Sequence, residues 1–349
     1  MNQKSIELLN GRLSFHLPIR ALGVTLLLTI SMMAVLIWSL MSGNFFLTSH
    51  DVIQTLLGQP PSNVANTVVW EYRFPRVLTA FLVGAMLALS GAALQYITRN
   101  PLSDPSLIGV SQGAALAVVS VTILMPSITL FWRPILAFAG SLTVTIIILL
   151  ASSSRRGGET LRFILTGIGV AALISSFTSM LLTYGDLDRA MSVLGWLAGS
   201  VHTVSWNEVI WLTVTMILAT PLLLIAIRPL SALRFGEEVA TSLGVRVKLA
   251  RWSLVTLAVW LAAAAVAAAG PLGFVGLVAP HLAKRLAQSG VGVHLLMTAL
   301  TGALIVGLAD FVGRVAFAPN QIPAGIITAI IGVPVFTVLI LRTQARNQL

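Results

Sequence analysis

The 349-residue sequence contains no cysteine and few charged residues. The lack of cysteine excludes disulfide bonds and thiolate metal sites, and charged residues make up only 9% of the chain. An ordinary soluble protein carries about 25% charged residues. Hydrophobic residues account for 57% of the sequence, and the mean hydropathy is +0.95. This composition predicts a protein that crosses a membrane several times and is surrounded by membrane lipid.

Two features of energy-converting proteins are also missing. There is no G-x-x-x-x-G-K-[ST] phosphate-binding loop, so the chain does not hydrolyse a nucleotide by that route. No series of carboxylates lies inside the apolar runs, as a proton- or sodium-coupled carrier would require. We therefore expect another subunit to supply the energy, and we expect no catalytic residue, metal site or cofactor. The basic residues are scattered, so the net charge of +10 does not indicate a nucleic-acid partner.

Ten apolar runs have about the length of one membrane crossing. They are 21–41, 77–97, 107–125, 134–151, 161–183, 209–227, 252–269, 272–288, 293–317 and 322–341. An even number of crossings places both termini on one side. Sixteen of the 21 basic residues fall on that side, which the positive-inside rule assigns to the cytoplasm. The predicted fold is an all-α polytopic membrane protein, one transmembrane domain over 1–349 with a cytoplasmic segment at 1–20.

The longest polar interruption, residues 228–251, lies between the sixth and seventh predicted spans and predicts a short cytoplasmic helix within 231–247. Three apolar residues recur there at helical spacing: Phe235, Val239 and Leu243. Glu237 and Glu238 occupy the expected first turn, and Gly244 is a typical C-terminal stop. Two interpretations are open. The helix either anchors the loop at the membrane surface or docks a cytoplasmic partner.

The segment 95–113 is rich in turn residues between two predicted spans. Its two Pro-containing turns indicate a tight re-entry loop in which Asp104 caps the next helix. The alternative is a role in gating or subunit contact, for which Asn100 and Gln112 are the candidate pathway residues.

The sequence GVSQG at 109–113 matches G-x-S-x-G. An intramembrane serine hydrolase using Ser111 and His281 is the enzyme alternative. A nucleophile elbow needs a strand before the serine, whereas a proline turn precedes it here. Close helix packing through the two glycines of this motif is the simpler interpretation, as it is for the pair Gly195 and Gly199.

Charged residues are sparse on the predicted outer side. Asp310 stands one helical turn before Arg314, which predicts an ion pair within that helix. Arg73 and Arg76 precede the second span. They either anchor the chain at the interface or dock carboxylates of a partner, since a guanidinium group pairs well with a carboxylate.

Four blocks of the sequence resemble the FecCD-type permeases, the membrane subunits of ABC importers for ferric siderophores, haem and cobalamin. They are YRFPRVLTAFLVGAMLALSGAALQYITRNPLSDPSLIGVSQGAAL, GEEVATSLGVRV, AGPLGFVGLVAPHLAKR and GLADFVGRVAFAPNQIPAGIITAIIGVPVF. The resemblance implies a ten-helix fold with an inverted repeat of spans 2–5 and 7–10, which is not visible in the residues. It implies a second permease subunit (a paralogue or an identical copy), two cytoplasmic ATPases and a periplasmic binding protein.

The resemblance also implies roles for individual residues. The coupling helix would seat in the ATPase through Arg234, Glu237, Glu238, Ala240, Leu243 and Gly244. The binding protein would dock on Arg73, Arg76 and Arg314. The segment 188–200 would gate the pathway, with Trp196, Leu197, Gly199 and Ser200 as its candidate residues. Gln112 and the pair Asn320-Gln321 depart from the family pattern.

The expected function is the bacterial inner-membrane permease of a binding-protein-dependent ABC importer. It would move a ferric siderophore by ATP-driven alternating access. Cobalamin or haem is the alternative cargo, and an ATP-independent secondary carrier is the alternative class.

Overall fold

The computed structural model describes residues 3–8, 13–43, 45, 47–125, 127–128, 130–152 and 159–347. The predicted cytoplasmic segment 1–20 contains a two-stranded antiparallel sheet, in which β1 (Gln3–Leu8) pairs with β2 (Leu13–Pro18). Every other regular element of the described chain is helical, which confirms the all-helical prediction for the membrane part.

Fourteen α-helices follow in the described residues. They are α1 (Ile19–Met41), α2 (Ser49–Leu56), α3 (Asn63–Thr67), α4 (Phe74–Thr98), α5 (Val110–Leu124), α6 (Arg133–Ser152), α7 (Glu159–Tyr184), α8 (Leu187–Leu197), α9 (Trp206–Leu233), α10 (Glu237–Ser242), α11 (Val247–Ala269), α12 (Val275–Leu286), α13 (Val291–Val315) and α14 (Ala324–Asn347). A π-helical turn (Val68–Arg73) leads into α4, and 3-10 turns precede α5 (Pro105–Ile108) and α6 (Leu130–Trp132).

Seven helices of the described chain are long and apolar enough to cross a membrane: α1, α4, α6, α7, α9, α11 and α13. Two further apolar helices are shorter, namely α5 and the Ala324–Val338 part of α14. The predicted span 272–288 corresponds to α12, which has only 12 residues. Such a helix rises about 18 Å, less than the roughly 30 Å of hydrocarbon. The count of ten crossings therefore stays a prediction.

The core of the fold is formed by α4, α11 and α13, most of whose residues are buried. The outer helices α1, α7 and α9 expose most of their residues, including many Leu and Ile side chains. An apolar exterior around a closely packed centre is the arrangement expected of a chain surrounded by lipid.

The helix contacts follow the same order in two halves of the chain, α4–α7 and α11–α14. In each half the second helix packs on the third and fourth: α5 on α6 and α7, and α12 on α13 and α14. Across the halves, α4 packs on α12 and α13 as α11 packs on α5 and α6. This pairing matches the repeat that the family resemblance implied.

In both halves, regular helical structure is interrupted in a similar way after the first helix. Arg99 after α4 and Gly270 after α11 have positive φ angles of 52° and 72°. The residue before the second helix is left-handed as well: Gly109 before α5 and Phe274 before α12, with φ of 77° and 67°. A proline and a leucine follow each break, at Pro101-Leu102 and Pro271-Leu272. This Pro-Leu pair occurs at the corresponding position of each half, although the sequences of the two halves otherwise show no evident repeat.

Glycine allows the central helices to touch through their backbones. A Cβ atom at Gly91 of α4 would lie 1.9 Å from the carbonyl oxygen of Gly276 in α12. At Gly113 of α5 it would lie 2.3 Å from the carbonyl oxygen of Gly140 in α6, which confirms close packing at the GVSQG motif. Among the described residues of this chain, Gly195 makes no such close packing, because an added Cβ there meets none of their atoms within 4 Å.

We expect Gly91→Ala to destabilise the protein by about 1–3 kcal/mol or more, because the added methyl group overlaps fixed backbone of α12. The measurement is the midpoint of thermal unfolding of the detergent-solubilised protein. Gly23→Ala in α1 is the matched control, since its Cβ would meet nothing within 4 Å. Equal midpoints for the two variants would contradict the expectation.

Candidate gate and docking sites

The predicted gate residues lie where α8 ends. The helix predicted within 188–200 is α8, and its last turn holds Trp196 and Leu197. The Ser200 N–H donates to the carbonyl of Ala269 (2.8 Å), and the Gly325 N–H donates to the carbonyl of Gly199 (2.8 Å). The end of α8 is therefore held by backbone hydrogen bonds between the last turn of α11 and the first turn of α14.

Three glycines make this junction possible. Gly199 has a φ of +73°, and a Cβ atom there would lie 2.3 Å from the carbonyl oxygen of Pro271. At Gly270 an added Cβ would lie 2.2 Å from the Trp196 carbonyl oxygen, and at Gly325 it would lie 2.2 Å from that of Ala198. The junction has no room for other side chains at these positions. Gly199 was a predicted gate residue, whereas Gly270 and Gly325 were missed.

Phe274 is a second residue that sequence reasoning missed. It is half-buried and left-handed, which is uncommon for a bulky residue. Its Cβ fills the space beside Gly332 in α14, where an added Cβ would lie 2.3 Å from it. Its ring packs near Phe336, with centroids 6.3 Å apart. The short sequence repeat at Pro101-Leu102 and Pro271-Leu272 is the signal that could have pointed to this turn.

Arg73, a predicted docking residue, is buried and binds the end of α1. Its guanidinium group donates to the carbonyls of Leu40 (2.7 Å), Met41 (3.2 Å) and Phe45. The last carbonyls of a helix have no partner within the helix. Arg73 therefore supplies a C-terminal cap to α1 from the start of α4.

Arg314 is also buried and bonds to α1, because it donates to the carbonyl (2.9 Å) and the hydroxyl (2.6 Å) of Ser39. Asp310 pairs instead with Arg76 of α4, at 2.8 Å. The predicted ion pair between Asp310 and Arg314 thus named the wrong partner. The pair that forms connects α13 to α4, which no single-helix spacing rule could indicate.

Arg76 joins four parts of the chain: α4, α13, the loop before α9 and the loop before α14. Besides Asp310, it donates to Oε1 of Gln321 (2.8 Å) and lies 2.9 Å from Nδ1 of His202. Because an arginine only donates, this imidazole nitrogen is the acceptor. Burial and the neighbouring Arg76 lower the pKa of His202. Gln321, flagged as a departure from the family pattern, thereby holds the loop before α14 to α4.

The predicted coupling helix is α10, shorter than the region 231–247 because α9 continues to Leu233 and α11 begins at Val247. Its apolar stripe faces away from the chain: Phe235, Val239 and Leu243 are all exposed.

The remaining candidate residues of this region divide by burial. Ala240 is fully buried and faces the protein. Arg234 and Glu238 are exposed, and Glu237 forms an ion pair with Arg251. Gly244 has a φ of +81°, as its predicted role as a helix stop requires.

Two candidate pathway residues occur around α5. The Asn100 side chain accepts a hydrogen bond from the Leu102 N–H (2.9 Å), so it stabilises the turn. The Gln112 Oε1 atom is buried and has no hydrogen-bond partner among the described residues. The same holds for Nε2 of His281, so the structure shows no hydrogen bond from that nitrogen to Ser111.

Comparison with known proteins agrees with this architecture. The FecCD transport family pattern matches residues 30–342. A probable siderophore transport system permease protein of Bacillus subtilis (strain 168) is 37% identical over 317 residues, covering 89% of this chain and 92% of that protein. An achromobactin transport system permease protein of Dickeya dadantii (strain 3937) is 35% identical, covering 96% and 95%. A metal-chelate type ABC transporter solved in an inward-facing conformation superposes with a TM-score of 0.79 at 31% identity, covering 92% of this chain and 99% of that one.

Asp310→Ala is expected to destabilise the protein by about 3–5 kcal/mol, because it leaves the buried Arg76 without its anion. Thermal unfolding in detergent measures the change. Glu237→Ala is the control, because the pair of Glu237 and Arg251 is partly exposed and is expected to contribute less than about 1 kcal/mol. A smaller loss for Asp310→Ala than for the control would contradict this reading of the buried pair.

Stability is expected to fall as the pH drops below the ordinary pKa of histidine, 6.5. His202 has a lowered pKa in the folded state, so the unfolded chain binds the proton more readily and acid favours unfolding. His202→Gln keeps an acceptor and does not titrate. Its unfolding midpoint should therefore drop less between pH 7.5 and 5.5 than that of the wild type, with His50→Gln, an exposed site, as the control. Identical pH profiles for all three would refute the role of His202.

Proposed function

We propose, because the chain belongs to the FecCD transport family, that it is the membrane-spanning permease subunit of a binding-protein-dependent ABC importer. The observation that supports this most is the exposed apolar stripe of Val239 in α10 with Phe235 before the helix and Leu243 directly after it. A short helix that presents apolar side chains between two long spans suits a groove on a second protein. We assign that groove to a cytoplasmic ATPase, which would hydrolyse ATP in place of this chain.

We further propose ten crossings with both termini in the cytoplasm. The positive-inside distribution of basic residues supports this orientation. In this arrangement the short helices α5 and α12 are extended to a full crossing by the non-helical segments 99–109 and 270–274. Non-helical backbone at membrane depth is tolerated when protein surrounds it.

The second permease subunit is proposed to face α7. Along one side of this helix lies an exposed stripe of small or hydroxyl-bearing residues: Gly169, Ala172, Ser176, Ser179 and Thr183. Such residues allow close helix approach or line a wet pathway, whereas lipid favours large apolar side chains. A pathway between two copies, or between two paralogues, would then lie beside α7 and the gate at the end of α8.

A ferric siderophore is the proposed cargo. The relatives named for siderophore and achromobactin transport support this class. The outer face would receive the loaded binding protein near Arg73, Arg76 and Arg314. Because these guanidinium groups are buried and bonded inside the chain, we propose that they mainly order the surface on which the partner docks.

The test is purification of the tagged chain from its native bacterial membrane, followed by identification of the co-purifying proteins and reconstitution into liposomes. We expect a Walker-motif ATPase to co-purify and uptake of a ferric siderophore to require ATP and the binding protein. Val239→Asp with Leu243→Asp should abolish ATPase recovery, because charges on the stripe oppose burial in a groove. The control is Thr241→Asp, on the exposed polar side of α10.

A chain that purifies alone and transports without ATP would overturn the proposal in favour of a secondary carrier. Undiminished ATPase recovery with the double aspartate variant would overturn the docking role of α10 alone.

A further inference from the structure

The first turn of α12 meets an acidic residue from the other half of the chain. Phe274, which precedes α12, supplies no side-chain hydrogen bond to it. The carboxylate of Asp104, in the segment between α4 and α5, lies against this turn, because its Oδ2 atom is 3.1 Å from the position that a Cβ atom on Gly276 would occupy. Asp104 therefore places an acceptor oxygen beside the start of α12, across the two halves.

Asp104 is itself held in place by its surroundings. Its Oδ1 atom accepts hydrogen bonds from the backbone N–H (2.9 Å) and the hydroxyl (2.6 Å) of Ser106. Nearby, the Gln95 amide of α4 donates to the carbonyls of Ser103 (3.4 Å) and Leu277 (3.3 Å). The Gln95 amide bridges the segment 99–109 to α12, and the Asp104 carboxylate lies against the same turn, so a movement of one segment disturbs the other.

The contact lies well inside the transmembrane part. Gly276 packs directly on Gly91, which precedes the end of α4 at Thr98 by about two helical turns, or roughly 10 Å. At such depth an unpaired backbone N–H has no water to bond to. An acceptor oxygen placed beside this turn therefore favours the start of α12 at its observed position.

Towards the cytoplasm, the same segment reaches α10. Arg99 begins it in a left-handed conformation, and its Nη1 atom lies 3.5 Å from the position of a Cβ atom on Gly236, the residue before α10. Between Arg99 and Asp104 the chain is tied by the hydroxyls of Ser103 and Thr98, 2.6 Å apart. A shift of α10 would therefore displace the segment that carries Asp104.

Towards the outside, the residues before α12 form the gate junction. The Pro271 carbonyl fits against Gly199, and the Ala269 carbonyl accepts the Ser200 N–H. Only Leu272, Gly273 and Phe274 separate this junction from α12. A shift in the first turn of α12 would therefore be passed directly to the end of α8.

We propose that Asp104 is a positioning residue of the transport cycle, which transmits movement of α10 through the first turn of α12 to the gate at Gly199 and Ser200. This inference rests on the proposed function. It identifies one contiguous set of contacts between the cytoplasmic docking helix and the outer gate.

The experiment uses the natural absence of cysteine. Gly273→Cys places a thiol beside the gate at a position where an added Cβ meets no atom within 4 Å. The complex containing this variant is purified, and maleimide labelling of the permease chain is timed without nucleotide and after trapping with ATP and vanadate. The ratio of the two rates measures gate movement, and the ATPase rate reports assembly.

With Asp104 present, we expect the two labelling rates to differ about fivefold or more, the size of an ordinary allosteric coupling. Asp104→Leu keeps the branched shape of the side chain, although leucine is larger, and it has no acceptor oxygen. It should keep the ATPase rate and bring the labelling ratio to about one, because no acceptor then lies beside the first turn of α12. An unchanged ratio with Asp104→Leu would overturn the inference.

Two further variants keep the result clear. Asp104→Asn retains one acceptor oxygen and is expected to give an intermediate labelling ratio. If Asp104→Leu fails to assemble, a wild-type ratio for Asp104→Asn overturns the inference.

Asp51→Leu removes another helix-capping carboxylate, which accepts the Thr48 N–H (2.9 Å) at the start of α2. It should leave the ratio unchanged, and a loss equal to that of Asp104→Leu would also overturn the inference.

If the labelling rate of Gly273→Cys does not change with nucleotide while Asp104 is present, the proposed ATP-driven function fails. If the labelling rate still changes with nucleotide in the Asp104→Leu variant, only the proposed coupling through Asp104 fails.

Discussion

Backbone polar groups inside a membrane must find hydrogen-bond partners within the protein, and this constraint shapes the centre of the molecule. Two segments, 99–109 and 270–274, leave regular helix between long apolar spans. In 99–109 the Ser103 carbonyl accepts from Gln95 and the Ser106 N–H donates to Asp104, and directly before 270–274 the Ala269 carbonyl accepts from the Ser200 N–H after α8. Glycine provides the space, because backbone can meet backbone only where side chains are absent.

The two segments are related by the repeated arrangement of helices. Each follows a buried first helix of its half and leads into a short second helix. Since the halves are inverted in the proposed topology, one segment enters from the cytoplasm and the other from outside. They meet where Asp104 approaches Gly276, so the structure has a central contact shared by both halves. A transporter that exposes its pathway alternately to two sides needs a contact through which its two halves can move together.

One end of the helix bundle depends on charge instead of glycine. Arg73 and Arg314 bond to the last turn of α1, while Arg76 and Asp310 connect α4 to α13. A buried arginine is tolerated when an anion and carbonyl oxygens surround it. These bonds join the ends of α1 and α13 to the start of α4, and they maintain the shape of the surface there.

The sequence alone determined the class of protein, the approximate position of almost every long helix, the family and the location of the short helix between α9 and α11. Hydrophobic runs and scattered charge carry that information because the bilayer imposes it on each segment separately. Tertiary structure decided what depends on distant residues. It showed Asp310 beside Arg76 instead of Arg314, ended α12 after 12 residues, and placed Asp104 against a helix of the opposite half. These partners are far apart in the chain, so no local spacing rule could have brought them together.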